Sequence, residues 1–261
     1  MWQSMLMTRN HPTFNKILRL VGKAIAEFDM IRAGDRVAVG LSGGKDSTTL
    51  LHALVTLRRR APVPFDLAAF TIEQGKFLGS LEGLKQHLAH LGVPWRVWQD
   101  QPSLALVENS VSHGCDICSR YRRRAVYQLA ADMGCNVIAL GHTADDFAEA
   151  ILRNLVFTGV VKPLPPTAIS SGTEFRLIRP LVYVDEDTIV AYSKSNSLPI
   201  TPCACSLRQG ARSKIRGFLQ SLSAENPHIR SNLISAGIHV WKERRSLGTH
   251  AGVAEEVGEE I

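Results

Sequence analysis

The chain has 261 residues, 45% hydrophobic and 21% charged, which is the balance of a folded domain with a full core. No stretch approaches the roughly 20 apolar residues of a membrane span, and Met1–Asn10 lacks the apolar centre of a secretory signal. Five cysteines, two of them spaced as Cys115-x-x-Cys118, make a poor disulfide framework and better metal or redox chemistry, so a cytoplasmic protein without membrane attachment is expected.

Phe14–Phe28 carries apolar residues at helical spacing (Ile17, Leu18, Val21, Ile25), which predicts an amphipathic helix ahead of the core. Arg36–Val39 reads as a short strand, followed by a glycine-rich turn and a helix from about Asp46. Leu67–Ile72 is a second strand, Ser80–Leu91 a helix and Trp95–Trp98 a third strand, its tryptophans read as core residues. Arg120–Met133 predicts a helix, Val137–Leu140 a strand, and a helix follows from Ala144. Phe175–Ile178 is the last predicted strand and Glu186–Ser195 a helix. Strands alternating with helices predict a Rossmann-like open parallel sheet with helices on both faces. The expected organisation is a helical segment (1–34), one α/β domain (35–205), a small helical C-terminal extension (206–250) and an acidic tail (251–261).

The net charge of +6 fits a polyanionic partner, because lysine and arginine neutralise phosphates and release counterions. Charge alone does not decide this, but its clustering adds weight. Arg58–Arg60, Arg120 with Arg122–Arg124, Arg208 through Arg216 and Lys242–Arg245 form separate basic groups. Arg120, Arg122 and Arg123, with Lys162, are the candidate nucleic-acid contacts, the alternative being solvated basic faces.

The strand-to-helix junction Gly40-Leu41-Ser42-Gly43-Gly44-Lys45-Asp46-Ser47 is the most informative segment. A strand entering two glycines and then a helix forms a nest of backbone N–H groups at a positive helix end, an anion site by geometry. Ser42 and Ser47 add hydroxyls, Lys45 adds charge, and Asp46 can orient a magnesium ion. The order Lys-Asp excludes a Walker loop, which places Ser or Thr straight after the lysine. Ser42–Ser47 resembles the signature of the PP-loop ATP pyrophosphatase superfamily, whose members cleave ATP to AMP and pyrophosphate while adenylating an oxygen. The resemblance implies that the loop holds the pyrophosphate end of ATP. Gly40 and Leu41, and Thr71, Ile72 and Glu73 after the second strand, would then lie near the nucleoside.

Cys115 and Cys118 stand at i and i+3 near the start of a predicted helix, where two thiols can reach one metal or cluster. Pro202-Cys203-Ala204-Cys205 is a distant second group. A redox pair, a zinc site and an iron–sulfur site remain open on spacing alone. Cys135 reads as a buried small hydrophobe. Gly141-His142-Thr143-Ala144-Asp145-Asp146 closes a strand; Asp145 or Asp146 can hold magnesium and His142 can meet an activated intermediate. Thr143-x-x-Asp146 reads equally as a helix capping box.

Taken in order, Cys115/Cys118, Arg122-Arg123, Ala139-Leu140-Gly141-His142, Asp145-Asp146, Pro165-Pro166, Arg179-Pro180-Leu181 and Pro202-Cys203 resemble the tRNA 2-thiocytidine synthetase family. The resemblance implies a [4Fe-4S] cluster on Cys115, Cys118 and Cys203, with one iron open for the sulfur to be transferred. It also implies catalytic roles for Asp46, Cys203 and Asp145, and nucleotide contacts at Gly141 and His142. The expected reactants are ATP, Mg2+ and tRNA, with a cysteine desulfurase or sulfide as sulfur donor, and a homodimer as the assembly. Two departures stand out: the later pair is C-x-C rather than C-x-x-C, and Thr143 replaces a second histidine. The implied reaction is adenylation of a cytidine and replacement of its 2-oxygen by sulfur. The alternatives are a 2-thiouridine-forming or lysidine-type enzyme, or a non-catalytic RNA-binding iron–sulfur sensor.

Overall fold

The computed structural model describes residues 11–75, 77–100, 115–170, 174–201 and 211–246, with 115–121 and 211–212 as main chain. Six strands form one sheet: β1 (Arg36–Gly40), β2 (Asp66–Glu73), β3 (Trp95–Gln99), β4 (Val137–Ala139), β5 (Thr167–Ile169) and β6 (Arg176–Ile178), in the order β3-β2-β1-β4-β6-β5. The eight helices among the described residues are α1 (Pro12–Glu27), α2 (Lys45–Arg58), α3 (Glu82–Leu91), α4 (Cys115–Asp132), α5 (Ala144–Thr158), α6 (Glu186–Ser195), α7 (Ala211–Glu225) and α8 (Ile229–Ser246). None of them is long and apolar enough to cross a membrane.

Strand alternation sends Val37 and Val39 to one face and Ala38 to the other. The first face carries the larger core, built with Ile17 and Val21 of α1, Leu50 and Leu54 of α2, Leu84 and Leu88 of α3 and Phe147 of α5. The second is covered by α4, whose Val126 and Leu129, with Met133 just beyond its end, pack on Ala68, Phe70 and Leu177; Cys135 is buried there, as its sequence context suggested. At the amino edge Asp35 is a buried tie: its carboxylate accepts from Arg176 Nη1 at 2.7 Å and from Asn136 Nδ2 at 2.8 Å, joining the starts of β1, β4 and β6. A second polar cluster lies inside the first face. His52 meets Tyr192 Oη at 2.8 Å and His87 Nε2 at 2.6 Å, and burial, helped by His87, holds its pKa down to about 3.

Three local expectations change. The sheet is parallel except for β5, which pairs antiparallel with β6, Thr167 opposite Ile178; three residues carry no readable period, so this edge strand escaped the sequence. Helix α4 starts at Cys115, five residues before the predicted Arg120. Trp95 and Trp98 are only partly buried and pack on opposite faces of the edge strand β3.

Helices α7 and α8 pack on α5: Ile215 and Leu219 join Ala148 in a small core. Gly237 lets α8 approach closely, since a Cβ there would run into Ile151 Cδ1 and stand 3.1 Å from Pro163 Cβ. Gly237→Val is therefore expected to destabilise the protein by about 2 kcal/mol, read as a fall of several degrees in the melting temperature. An unchanged melt would show that this contact yields without cost.

Candidate functional site

Helices α2, α5 and α6 follow β1, β4 and β6 directly, so all three begin at the carboxyl edge of the sheet, where open α/β sheets bind ligands. The loop between β1 and α2 is shaped by Gly43, whose φ of +74° is a left-handed conformation that disfavours side chains. A Cβ on Gly43 would lie 2.8 Å from both the Thr201 carbonyl oxygen and the Phe77 ring. Gly141 brings the end of β4 against the same loop: its Cβ would fall 3.0 Å from Ser47 N and Cα. Ser47 Oγ accepts from Ser42 N at 3.2 Å, which closes the turn. The Leu41 side chain is core, so only its backbone is available to a ligand. Ile72 is partly exposed near the end of β2.

Lys45 Nζ donates to Glu186 Oε1 at 2.7 Å and lies 3.2 Å from Asp46 Oδ1. Burial works against its charge, but the Glu186 hydrogen bond and the Asp46 charge outweigh it and raise the lysine pKa. Asp46 Oδ1 is buried and accepts no hydrogen bond. Burial raises the Asp46 pKa, opposed by Lys45 and assisted by Asp146 and Glu186. A buried carboxylate oxygen with open lone pairs, at an anion-binding loop, suits a hard cation such as magnesium.

The two carboxylates that open α5 are held by other groups, whereas Asp46 meets the Lys45 ammonium. Asp146 completes the capping box, its Oδ2 accepting from Thr143 N at 2.8 Å and from Thr143 Oγ1 at 3.1 Å. Asp145 Oδ2 accepts from Glu186 N at 2.7 Å, and its Oδ1 pairs with Arg230 Nε of α8 at 3.0 Å. Burial raises the Asp145 pKa against those two partners. Asp145 thus joins the starts of α5 and α6 to the C-terminal helices. His142 lies three residues beyond β4, and its Nδ1 accepts from Arg179 Nε at 3.3 Å. Arg179 is fully buried and also donates to the Pro165 carbonyl at 2.8 Å. A permanently charged donor on Nδ1 leaves Nε2 as the protonated nitrogen, so His142 offers a hydrogen bond rather than a base.

Main-chain positions 115 and 118 stand one turn apart in the first turn of α4. Because α4 leads into β4 from the amino edge, that first turn lies toward the carboxyl edge. Cys203 and Cys205 lie outside the described residues, and of Arg120 only the main chain is described. Arg122 and Arg123 are half-buried on α4, while Lys162 is exposed beyond α5, its carbonyl accepting from Asn154 Nδ2 at 2.6 Å. The described end of the preceding chain, Thr201, donates its N–H to the Gly43 carbonyl at 2.9 Å. Three residues with no site role in the sequence reading join this cluster: Glu186 and Arg230 contact Asp145, and Arg216 pairs with Glu186. Long-range ion pairs leave no local pattern, although Arg216 ended a basic cluster already noted.

A family model described as a PP-loop domain matches residues 14–201. The chain is 39% identical over 239 residues to a tRNA-cytidine(32) 2-sulfurtransferase from Anaeromyxobacter sp. (strain K), covering 90% of this chain and 82% of that one. It is 40% identical over 228 residues to a protein of the same name from Citrifermentans bemidjiense, covering 85% and 89%. In fold it is similar to the U34-tRNA thiolase NcsA from Methanococcus maripaludis, solved with its [4Fe-4S] cluster, with a TM-score of 0.72, 20% identity and coverage of 88% and 79%. Loop, sheet and sequence agree: the chain belongs to the tRNA-cytidine(32) 2-sulfurtransferase family of PP-loop proteins.

Proposed function

We propose that the protein is an ATP-dependent tRNA sulfurtransferase that adenylates the O2 of a tRNA cytidine and replaces that oxygen with sulfur. The observation that supports joining the two chemistries in one crevice is the hydrogen bond from Thr201 N–H to the Gly43 carbonyl. It ties the chain just ahead of Pro202-Cys203 to the phosphate loop.

The cytidine O2 attacks the α-phosphorus of ATP, the bond to the β-phosphate oxygen breaks, and pyrophosphate leaves. Backbone N–H groups of the 42–47 loop, the Ser42 and Ser47 hydroxyls and the Lys45 ammonium hold the departing pyrophosphate. Asp46 would hold magnesium, which offsets the phosphate charge. The C2–O bond is then the weak one: sulfur adds at C2 and AMP carries away the oxygen and its electron pair. Cys115, Cys118 and Cys203 would hold the cluster through their thiolates, and when bound that group supplies the iron site that handles sulfide. His142, protonated at Nε2, contributes a hydrogen bond to the activated base. Arg122, Arg123, Arg120 and Lys162 contact the tRNA backbone, and Asp145 keeps the crevice in register through Glu186 and Arg230.

The test uses protein prepared without oxygen, as wild type and Cys203→Ala. The wild type is expected to carry about four irons and four sulfides per chain and to thiolate tRNA with ATP. The variant is expected to lose thiolation at least about a hundredfold while still binding ATP. Iron-free wild type that still thiolates tRNA would contradict the ligand assignment.

A further inference from the structure

Lys45 does not face the loop unopposed. Its ammonium is 2.7 Å from Glu186 Oε1, and the other oxygen of that carboxylate is 3.8 Å from Arg216 Nη1. Arg216 belongs to α7, beyond the 14–201 region matched by the PP-loop domain, and its Nε pairs with the buried Glu149 of α5. One carboxylate therefore stands between two cations, one on the phosphate loop and one on the C-terminal helix pair. The two compete for the same charge.

A triphosphate entering the loop needs the Lys45 ammonium, and can use it fully only as Glu186 releases it. Charge-assisted hydrogen bonds of this length are among the stronger polar contacts, so the exchange carries a measurable cost. Arg216 lowers that cost by drawing Glu186 the other way. We infer that Glu186 is a positioning residue whose hold on Lys45 sets the affinity of the loop for triphosphate and pyrophosphate. Arg216 acts through it as the counterweight. The C-terminal helices are thereby part of the nucleotide site although no residue of theirs lies in the loop. This rests on the assignment of the 42–47 loop to the phosphates of ATP.

The two residues have opposite signatures. Glu186→Gln keeps the side-chain shape, removes the competing charge, and is expected to tighten pyrophosphate binding about tenfold. It also lowers KM for ATP and lowers kcat, because the product leaves more slowly. Arg216→Gln leaves Glu186 to Lys45 alone and is expected to weaken pyrophosphate binding about tenfold. The double variant is expected to match Glu186→Gln rather than the sum of the two, since Arg216 has nothing left to oppose.

Calorimetric titration of pyrophosphate and of Mg-ATP into the full-length protein without tRNA reads all four affinities, with melting curves alongside. Arg216→Gln also removes the Arg216–Glu149 ion pair and lowers stability; the Glu186→Gln arm does not depend on it. Unchanged or weakened pyrophosphate binding in Glu186→Gln overturns the inference, and additive effects in the double variant overturn the role of Arg216. A wild type that binds neither ligand overturns the loop assignment as well, which separates the two failures.

Discussion

Gly43→Ala is expected to cut kcat/KM for ATP at least about a hundredfold while the protein still folds, because a displacement of the loop by about 1 Å is enough for such a loss. The alanine would sit at a φ of +74°, costing about 1 kcal/mol on its own. The larger effect is steric. Its methyl group would lie 2.8 Å from the Thr201 carbonyl oxygen, and main chain cannot turn aside as a flexible side chain can. The loop or the 201 segment must shift, and the Thr201-to-Gly43 hydrogen bond between them is strained or lost. Gly44 provides the contrast: a Cβ there meets Ser42 Oγ at 3.4 Å, an ordinary contact. Gly44→Ala therefore leaves the free loop intact, and any loss it causes reports on the ligand alone. Steady-state kinetics with ATP varied, beside melting curves, separate the two. Comparable kinetics for Gly43→Ala and wild type would remove the loop geometry from the account.

Asp46→Asn is expected to lower thiolation by about two to three orders of magnitude, the usual effect of losing one preorganised electrostatic group. Its stability should move the other way. Burial raises the Asp46 pKa, so the ionised carboxylate is less comfortable folded than unfolded. That penalty is absent below the ordinary carboxylate pKa, grows as pH rises toward the raised value and is complete above it. Asparagine escapes it. The variant should melt at or above wild type at neutral pH, with the advantage vanishing in acid. Gain of stability with loss of function is the signature of a strained functional group. A pH series of melting curves reads the first half, and isotherms for Mg-ATP the second. A variant that is both less stable and fully active would assign Asp46 to structure.

The parts of this molecule that were legible in the sequence share one property: their physics is local. The phosphate loop announces itself because a strand, two glycines and a helix start must be contiguous to make a nest of N–H groups. The Thr143–Asp146 capping box is equally local, and the structure shows it formed. Strands β1, β2 and β4 carry dense apolar runs because both faces of a parallel sheet are buried. The edge strand β5 has three residues, too short to show a period, whereas its neighbour β6 was read from Phe175–Ile178. The partition between Asp46 and Asp145 was not legible from the sequence. Both are acidic residues at helix starts, and only the fold shows that Arg230 and the Glu186 N–H occupy Asp145 while Asp46 faces the Lys45 ammonium on the loop. The same holds for Arg179, which read as part of a motif and proves to be the buried donor that fixes the His142 tautomer.

The most direct test of the account is the identity of the nucleoside that receives sulfur. Protein prepared without oxygen is incubated with unmodified tRNA, ATP, magnesium and sulfide, and the digested tRNA is analysed by mass spectrometry while AMP and pyrophosphate are quantified. The expected product is 2-thiocytidine, formed only with ATP and matched by equal amounts of AMP and pyrophosphate. Sulfur on uridine, or AMP release with no thionucleoside, would contradict it.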